Sequence, residues 1–80
     1  MTNQPLSFGQ KAAGVSFNPG GDPVVDQIKT DFAAIIDLLH GLRTANLNKE
    51  AVRMLSIAIT EAQTAQMWAV KAVTWSHPNE

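Results

Sequence analysis

The sequence contains no cysteine, so neither a disulfide bond nor a thiolate metal site can stabilise this chain of 80 residues. A cysteine-free composition is compatible with a reducing cytoplasm. The only histidines, His40 and His77, lie far apart without ligand-like neighbours, so we expect two partly exposed polar side chains and no zinc site. A chain this short forms at most one small domain, residues 1–80, and such a domain is only marginally stable as a monomer.

An excess of either charge is also missing, because six Lys or Arg residues and seven Asp or Glu residues leave a net charge of -1. Long nucleic acids usually require a basic face, so polynucleotide binding is disfavoured. A small anionic ligand needs only one or two cations and stays open. The N-terminus has no apolar core of a signal peptide, and no segment approaches the roughly 20 apolar residues that cross a bilayer. We therefore expect no membrane partner.

Glycine and proline are few and divide the chain cleanly. Together with helix-capping residues and the connector "TANLN", they divide the chain into a polar tail, a short helix, a loop and two long helices, namely residues 1–6, 7–13, 14–21, 22–43 and 49–75. Ser7 and Gln10 fit a capping box, Asp22-Pro23 is a strong helix start, and Asn48 can cap the last helix. These signals predict an all-α fold, in which a short N-terminal helix precedes an antiparallel two-helix hairpin.

The two long helices differ in how their apolar residues are distributed. One apolar stripe on the first of them comprises Val25, Ile28, Phe32, Ile35, Ile36, Leu39 and Leu42. In the last helix, Ile57, Trp68 and Trp75 point away from the face that holds Leu55 and Ile59. A seam of small residues comprises Ala58, Ala62, Ala65, Ala69 and Ala72. One hairpin cannot bury a helix that is apolar on two faces, so we predict a homo-oligomer with this helix at its centre. A monomer with surplus exposed apolar surface is the alternative.

No constellation of side chains points to catalysis. There is no Ser-His-Asp pattern and no carboxylate pair in an apolar setting. The acidic residues of the second helix region look like caps or solvated positions: Asp22, Asp26, Asp31 and Asp37. We therefore predict that the protein is not an enzyme and needs no cofactor or metal.

The stretch "GVSFNPGGDP" before the first long helix has two interpretations. In the first it is a turn and a helix cap, with Phe17 as a hydrophobic staple. In the second it is a ligand loop, in which Phe17 stacks on a base and Asn18 bonds a base edge. Gly20 and Gly21 would let the backbone approach a ligand closely. The free N–H groups of the helix start would favour a phosphate.

The charged residues near this loop would have opposite effects on an anionic ligand. Asp22 and Asp26 would repel a phosphate, so the countercharge has to come from Lys29 or from a neighbouring subunit. Arg53 is a candidate for that second source. Its plain structural interpretation is a surface pair with Glu50, three residues earlier on the same helix.

Three blocks of the sequence resemble a known family: "KAAGVSFNP", "VDQIK" and "SIAITEAQTAQMWAVKAVTW", within residues 11–75. They resemble the small phage anti-CBASS and Thoeris anti-defence hairpin proteins, the cyclic-nucleotide sponges, and the anti-CBASS branch above all. The resemblance implies a hexamer in the host bacterial cytoplasm. Such an assembly sequesters immune signals without cleaving them, so that the downstream effector stays inactive.

The resemblance also implies ligands and site residues. The ligands would be cyclic dinucleotides such as 3′,3′-cGAMP, with cyclic trinucleotides between subunits and cyclic ADP-ribose isomers in the Thoeris branch. Phe17 would stack on a base, Asn18 and Pro19 would shape the pocket wall, and Lys29 would face the phosphates. Thr30 beside it is a weaker candidate.

Two further elements of the resemblance are less direct. Arg53 matches an arginine of the trinucleotide site, although the short connector before it puts the inter-subunit site in question. Trp68 and Trp75 belong to the family block, and we interpret them as packing residues. Outside this family, the alternatives are a helical assembly module without a nucleotide ligand and, less favoured by charge, a polynucleotide-binding module.

Overall fold

A computed structural model describes residues 5–45 and 48–75, which form three α-helices and no strand. The helices are α1 (Phe8–Ala13), α2 (Pro23–Ala45) and α3 (Lys49–Val73). Arg43, near the end of α2, donates a hydrogen bond to the Ser56 hydroxyl near the start of α3. Val25 and Val70, at the opposite ends of these helices, line one cavity. The two helices are therefore antiparallel, and the predicted all-α hairpin is confirmed.

The ends of α1 follow from local capping. The Ser7 hydroxyl accepts a hydrogen bond from the Gln10 backbone N–H, and the Gln10 side chain accepts one from the Ser7 N–H, which completes the predicted capping box. At the other end Gly14 has φ 69°, a left-handed conformation that glycine adopts without steric cost. A short helix is thus defined at both ends by residues of its own segment.

The bounds of the long helices differ slightly from those the sequence suggested. Helix α2 continues to Ala45, beyond the predicted end at Arg43. Helix α3 ends at Val73, before Trp75, because Thr74 forms its C-terminal cap. The Asn48 side chain accepts hydrogen bonds from the first backbone N–H groups of α3, as its capping role predicted. The predicted stop at His77-Pro78 lies outside the described residues.

The core is thin and centres on α2. Its buried apolar members in the described part of the chain are Ala13, Val25, Ala33, Ile36 and Ile59. Ile36 is completely buried. The predicted stripe is wrong at its edge, since Ile35 and Leu42 are exposed. The reason is that α1 and α3 cover the side of α2 that carries Ala33 and Ile36, so that the neighbouring position 35 faces outwards.

Phe8 of α1 forms a cluster with His40 and Arg43 of α2. Arg43 also connects this cluster to α3 through its hydrogen bond to Ser56. Phe8 and His40 stack with ring centroids 4.1 Å apart and an interplanar angle of 13°. The Arg43 guanidinium lies 5.3 Å from the Phe8 centroid and 2.8 Å from His40 Nδ1. Since arginine only donates, this Nδ1 is the acceptor of the hydrogen bond. His40 is half-buried and serves packing, and no group of residues in the described ranges could hold a metal ion.

Apolar surface is left over on α3, as its two apolar faces predicted. Met54, Ile57, Trp68 and Trp75 are all exposed. Over the described residues, no helix is both long enough and apolar enough to span a membrane. Exposed apolar surface of this kind is a common feature of interaction sites.

Candidate functional site

The position of α1 on α2 sets up the loop that follows it. Gly9 is buried against α2, and a Cβ atom at this position would lie 2.1 Å from the Ala33 carbonyl oxygen. The Asp37 carboxylate accepts a hydrogen bond of 2.7 Å from the Gly9 N–H and another of 2.7 Å from the Ser7 hydroxyl. The sequence predicted a cap or a solvated helix position here; Asp37 is half-buried beneath α1 and accepts from the first turn of that helix.

Lys29 is buried, with 7% of its surface exposed, and its ammonium group closes the loop against α2. The ammonium donates to the Gly14 carbonyl at 3.2 Å and to the Phe17 carbonyl. It also lies 5.4 Å from the centroid of the Phe17 ring. Backbone oxygens thus compensate for the desolvation of a buried charge. The same contacts hold the loop and bring a cation to the side of an aromatic ring.

Asn18 holds the second half of the loop. Its side-chain nitrogen donates to the Asp22 carbonyl at 2.9 Å and to Asp26 Oδ1 at 2.8 Å. Both partners are acceptors, which fixes the orientation of the amide group. None of the described residues donates to Asn18 Oδ1, so this oxygen remains available to a ligand. Asp26 therefore helps to hold the loop, because its carboxylate accepts a hydrogen bond from the Asn18 side chain.

The helix start beside the loop is already capped. The Asp22 carboxylate accepts a hydrogen bond of 2.9 Å from the Val24 N–H, in the first turn of α2. Gly21 has φ 64° and its N–H donates to the Asn18 carbonyl, which closes a tight turn. A phosphate would have to displace a carboxylate to reach these N–H groups. Among the described residues that line the loop, Lys29 is the one that brings a positive charge beside the Phe17 ring.

These elements enclose an open cavity of about 280 Å³. Its lining is Phe17, Asn18, Pro19, Gly20, Asp22, Val25, Lys29, Val70 and Thr74. Phe17 stands at its rim with 70% of its surface exposed, so the interpretation of Phe17 as a packed hydrophobic staple is wrong. Small-molecule sites usually measure about 300–1,000 Å³. The cavity is therefore close to the lower end of this range.

Four of the residues singled out from the sequence come together in this cavity: Phe17, Asn18, Pro19 and Lys29. Thr30 lies apart from them, in another depression that also contains Gln10 and Asp37. Because consecutive helical residues are rotated by about 100°, a neighbour of Lys29 in sequence faces a different side of α2. Within one chain, Thr30 and Lys29 do not share a pocket.

Arg53 is also distant from the loop. It lies in the first turns of α3, at the opposite end of that helix from Val70 and Thr74, and it is exposed. It pairs with Glu50 at 2.5 Å, the surface pair considered from the sequence. This hydrogen bond lowers the pKa of Glu50 and raises the pKa of Arg53. Any shared site of Arg53 and Phe17 would need more than one subunit.

Sequence reasoning missed the wall that α3 contributes. Val70 and Thr74 face the loop across the hairpin, and Val25 forms the floor. No local signal marks Val70 or Thr74, because they meet the loop only when α3 folds back along α2. No local signal marks the Gly14 carbonyl either, because it meets Lys29 only when the loop packs on α2.

Trp68 on α3 and Trp75 in the turn after it form a separate exposed feature. Trp68 and Trp75 are 66% and 67% exposed in one chain, so their predicted packing role is not met within the chain and stays a prediction for contacts between chains. The Lys71 ammonium lies between them, 5.7 Å from the Trp68 ring centroid and 5.9 Å from that of Trp75. Together with Ala72 these side chains line a shallow depression. Two indole rings in water are unusual unless another surface covers them.

A scan against family models matches residues 10–74 to the Acb2/Tad1, hairpin domain. The chain belongs to this family. The match includes most of α1, the loop, all of α2 and all of α3, and it confirms the resemblance to the anti-CBASS and anti-Thoeris sponges. Members of the Acb2/Tad1 hairpin family are binding proteins, which fits a cyclic-nucleotide-binding role in phage anti-defence. Comparisons with curated proteins and with solved structures find no match.

Proposed function

We propose that this Acb2/Tad1 hairpin protein binds cyclic oligonucleotide second messengers, such as 3′,3′-cGAMP, and sequesters them without cleavage. Host CBASS or Thoeris effectors then lack their activating signal. The observation that carries the proposal is the pairing of an exposed Phe17 ring with the Lys29 ammonium, 5.4 Å from its centroid, at the rim of an open cavity. An aromatic face and a cation are what a base and its phosphate require.

Phe17 supplies the stacking face. Its backbone carbonyl accepts from Lys29 and its N–H donates to the Gly14 carbonyl at 3.0 Å, so the ring projects from a fixed turn. Stacking of a base on an aromatic side chain contributes about 1–3 kcal/mol. A ring held before the ligand arrives loses less conformational entropy on binding.

Lys29 supplies the charge. Two of its three ammonium hydrogens are directed at the Gly14 and Phe17 carbonyls, and the third remains for a phosphate oxygen. A cyclic dinucleotide carries two negative charges. Two copies of Lys29 from related subunits would neutralise them, although the chain as a whole has a net charge of -1. Asn18 Oδ1 and Pro19 complete the side of the pocket.

Self-association is the second part of the proposal. Seven exposed positions along α3 and its C-terminal turn recur at steps of three and four: Met54, Ile57, Glu61, Ala65, Trp68, Ala72 and Trp75. This spacing is typical of a helix–helix seam, in which large residues pack against small ones. We propose that copies of the chain associate through this surface, hereafter the α3 seam. The resemblance favours six copies.

Other ligands remain part of the same proposal. Cyclic trinucleotides would occupy sites between subunits that include Arg53, because Arg53 does not line the Phe17 cavity. Cyclic ADP-ribose isomers carry a purine and a pyrophosphate, and they fit the same aromatic and cationic pair. The competing function is a helical assembly module that binds no nucleotide.

Titration calorimetry with 3′,3′-cGAMP tests the proposal. The linear dinucleotide is the ligand control, and Phe17→Tyr and Phe17→Leu are matched variants that keep or remove the ring. We expect tight binding of the cyclic form, retained in Phe17→Tyr and weakened about 10- to 100-fold in Phe17→Leu. Heat denaturation of the complex should release intact ligand.

Two results would contradict the proposal. Equal affinity of Phe17→Leu and the unsubstituted protein would remove Phe17 from the site. Absence of heat with 3′,3′-cGAMP, a cyclic trinucleotide and a cyclic ADP-ribose isomer would favour the assembly module. A salt-sensitive gel shift with DNA would instead revive the polynucleotide alternative.

A further inference from the structure

We propose that Asp37 is a positioning residue for the ligand loop, residues 14–21, and that it acts through α1. The inference rests on the proposed function, since it assigns a role in ligand affinity to a side chain outside the Phe17 cavity. Asp37 lies instead in the depression on the other side of α1, with Gln10 and Thr30. It touches neither the Phe17 ring nor the Lys29 ammonium.

Asp37 holds the beginning of α1 with both carboxylate oxygens. Oδ2 accepts from the Ser7 hydroxyl at 2.7 Å and Oδ1 accepts from the Gly9 N–H at 2.7 Å. The Gly9 N–H is one of the first N–H groups of α1, which have no partner inside the helix. Hydrogen bonds to an ionised carboxylate are short and about twice as strong as neutral ones. The capping box alone leaves this Gly9 donor unsatisfied.

Lys29 holds the other end of the same segment. The Gly14 N–H and the Val15 N–H both donate to the Gln10 carbonyl, at 3.0 and 3.1 Å, and end the helix. The Gly14 carbonyl then accepts from Lys29. Asp37 and Lys29 are eight residues apart on α2, or about two turns, and each contacts a different end of α1. An anion and a cation of α2 thus hold the two ends of α1.

Helix α1 has no independent stability that would keep it in place. It contains six residues, and isolated helices shorter than about 12–15 residues are marginal in water. At Gly9, where a Cβ atom would meet the Ala33 carbonyl, α1 approaches α2 too closely for any side chain to fit between them. The direction in which Gly14 and the ligand loop leave α1 therefore depends on the two anchors.

The consequence for the ligand loop is direct. Release of the Ser7 and Gly9 bonds frees the start of α1, and the helix can then tilt on α2. The Gly14 and Phe17 carbonyls lose their alignment with the Lys29 ammonium, and the Phe17 ring loses its fixed position. Ligand binding would then have to order the loop first, which lowers the apparent affinity.

Asp37→Asn in the full chain, compared with Asp31→Asn, tests this role. Asp31 lies on the same helix, is exposed and accepts only from Gln27 within one turn. The first readout is hydrogen exchange of the ligand-free protein at the loop amides of residues 14, 15 and 17. We expect about tenfold faster exchange at these amides in Asp37→Asn, with the α2–α3 amides unchanged. Asp31→Asn should exchange like the unsubstituted protein.

The second readout is affinity for 3′,3′-cGAMP, which we expect to fall about tenfold in Asp37→Asn and to stay constant in Asp31→Asn. Ser7→Ala removes one of the two bonds to Asp37 together with the capping bond from the Gln10 N–H, so it should also speed exchange at the loop amides, and it provides a second variant if Asp37→Asn fails to fold. Unchanged loop exchange in both variants would overturn the proposal, and so would uniformly faster exchange throughout the chain. Faster loop exchange without any binding of 3′,3′-cGAMP by the unsubstituted protein would support the positioning role and reject the ligand.

Discussion

The Lys29 ammonium lies 5.4 Å from the Phe17 ring centroid and donates a hydrogen bond to the Phe17 backbone carbonyl. One side chain therefore both fixes the turn that carries the ring and places a positive charge beside it. The order of the loop and the proposed compensation of a ligand's negative charge therefore depend on the same atom, Lys29 Nζ. Substitutions of Lys29 should consequently affect the stability of the free protein as well as ligand affinity.

Lys29→Met tests this double role. The thioether keeps the length of the side chain but leaves the Gly14 and Phe17 carbonyls without their donor. We expect a loss of about 1–3 kcal/mol in the free energy of unfolding in urea and loss of binding to 3′,3′-cGAMP. Lys11→Met, at an exposed position of α1, is the control and should unfold like the unsubstituted protein. An unchanged unfolding midpoint for Lys29→Met would argue that the loop does not need the ammonium.

Gly9→Ala should be strongly destabilising although alanine is the better helix former. The new Cβ atom would lie 2.1 Å from the Ala33 carbonyl oxygen, so α1 has to move away from α2. We expect a loss of about 1–3 kcal/mol, measured by thermal unfolding. Gly41→Ala is the matched control, because nothing lies within 4 Å of its added Cβ, and it should stabilise the protein by about 0.5–1 kcal/mol. Similar shifts for both variants would contradict the close fit at Gly9.

Asn18→Asp should loosen the ligand loop. The substitution removes the donor to the Asp22 carbonyl and places a carboxylate against Asp26 Oδ1, which lies 2.8 Å from the amide nitrogen. We expect a loss of about 1–3 kcal/mol in stability and faster exchange of the Gly21 amide. Gln27→Glu makes the same change against Asp31 on an exposed helix face, where a like-charge pair costs only about 0.2–0.5 kcal/mol. Equal losses would show that the Asn18 bonds are surface contacts.

Trp68→Ala should separate assembly from folding. The side chain is 66% exposed in one chain, so its loss leaves the hairpin core intact and the circular dichroism spectrum unchanged. We expect the molar mass from light scattering to fall towards that of the monomer, because the α3 seam loses a large residue. Met67→Ala removes an exposed residue outside the seam and should keep the assembly. If both variants keep the same molar mass, the subunits associate elsewhere or not at all.

Arg53→Ala should distinguish the two kinds of ligand site. The bond to Arg53 lowers the pKa of Glu50, so the pair contributes when Glu50 is ionised and the contribution is lost as the pH falls through this lowered pKa. Both groups are fully exposed, and we expect no measurable change in melting temperature at neutral pH. Calorimetry should show unchanged affinity for 3′,3′-cGAMP and at least tenfold weaker binding of a cyclic trinucleotide. A loss of 3′,3′-cGAMP binding instead would join Arg53 to the Phe17 site of another subunit.

Local signals account for the parts of the fold that sequence reasoning found. The Ser7–Gln10 capping box and the Asn48 cap each act within four residues, so the printed sequence contains both partners of every contact. The same holds for the pair of Glu50 and Arg53. Local signals could not predict which apolar residues at the edge of the α2 stripe are exposed, because the exposure of Ile35 depends on where α1 and α3 pack.

The candidate site could be predicted only in part from the sequence, because some of its contacts depend on how the helices pack. Phe17, Asn18 and Pro19 are consecutive, and Lys29 lies on the next helix. The resemblance singled out these residues, and the structure brings them to one cavity. Thr30, adjacent to Lys29, faces another depression because a helix rotates by about 100° per residue.

By itself the sequence determined an all-α hairpin with a short leading helix, a loop rich in breakers and a last helix with more apolar surface than one partner can cover. Caps, breakers and helical periodicity specify these features over a few residues. Only the tertiary structure decided that Lys29 is buried under the loop, that Asp37 holds the start of α1, and that Val70 and Thr74 close the cavity. These contacts join residues 12 or more positions apart, and their partners are set by how the helices pack and not by any local propensity.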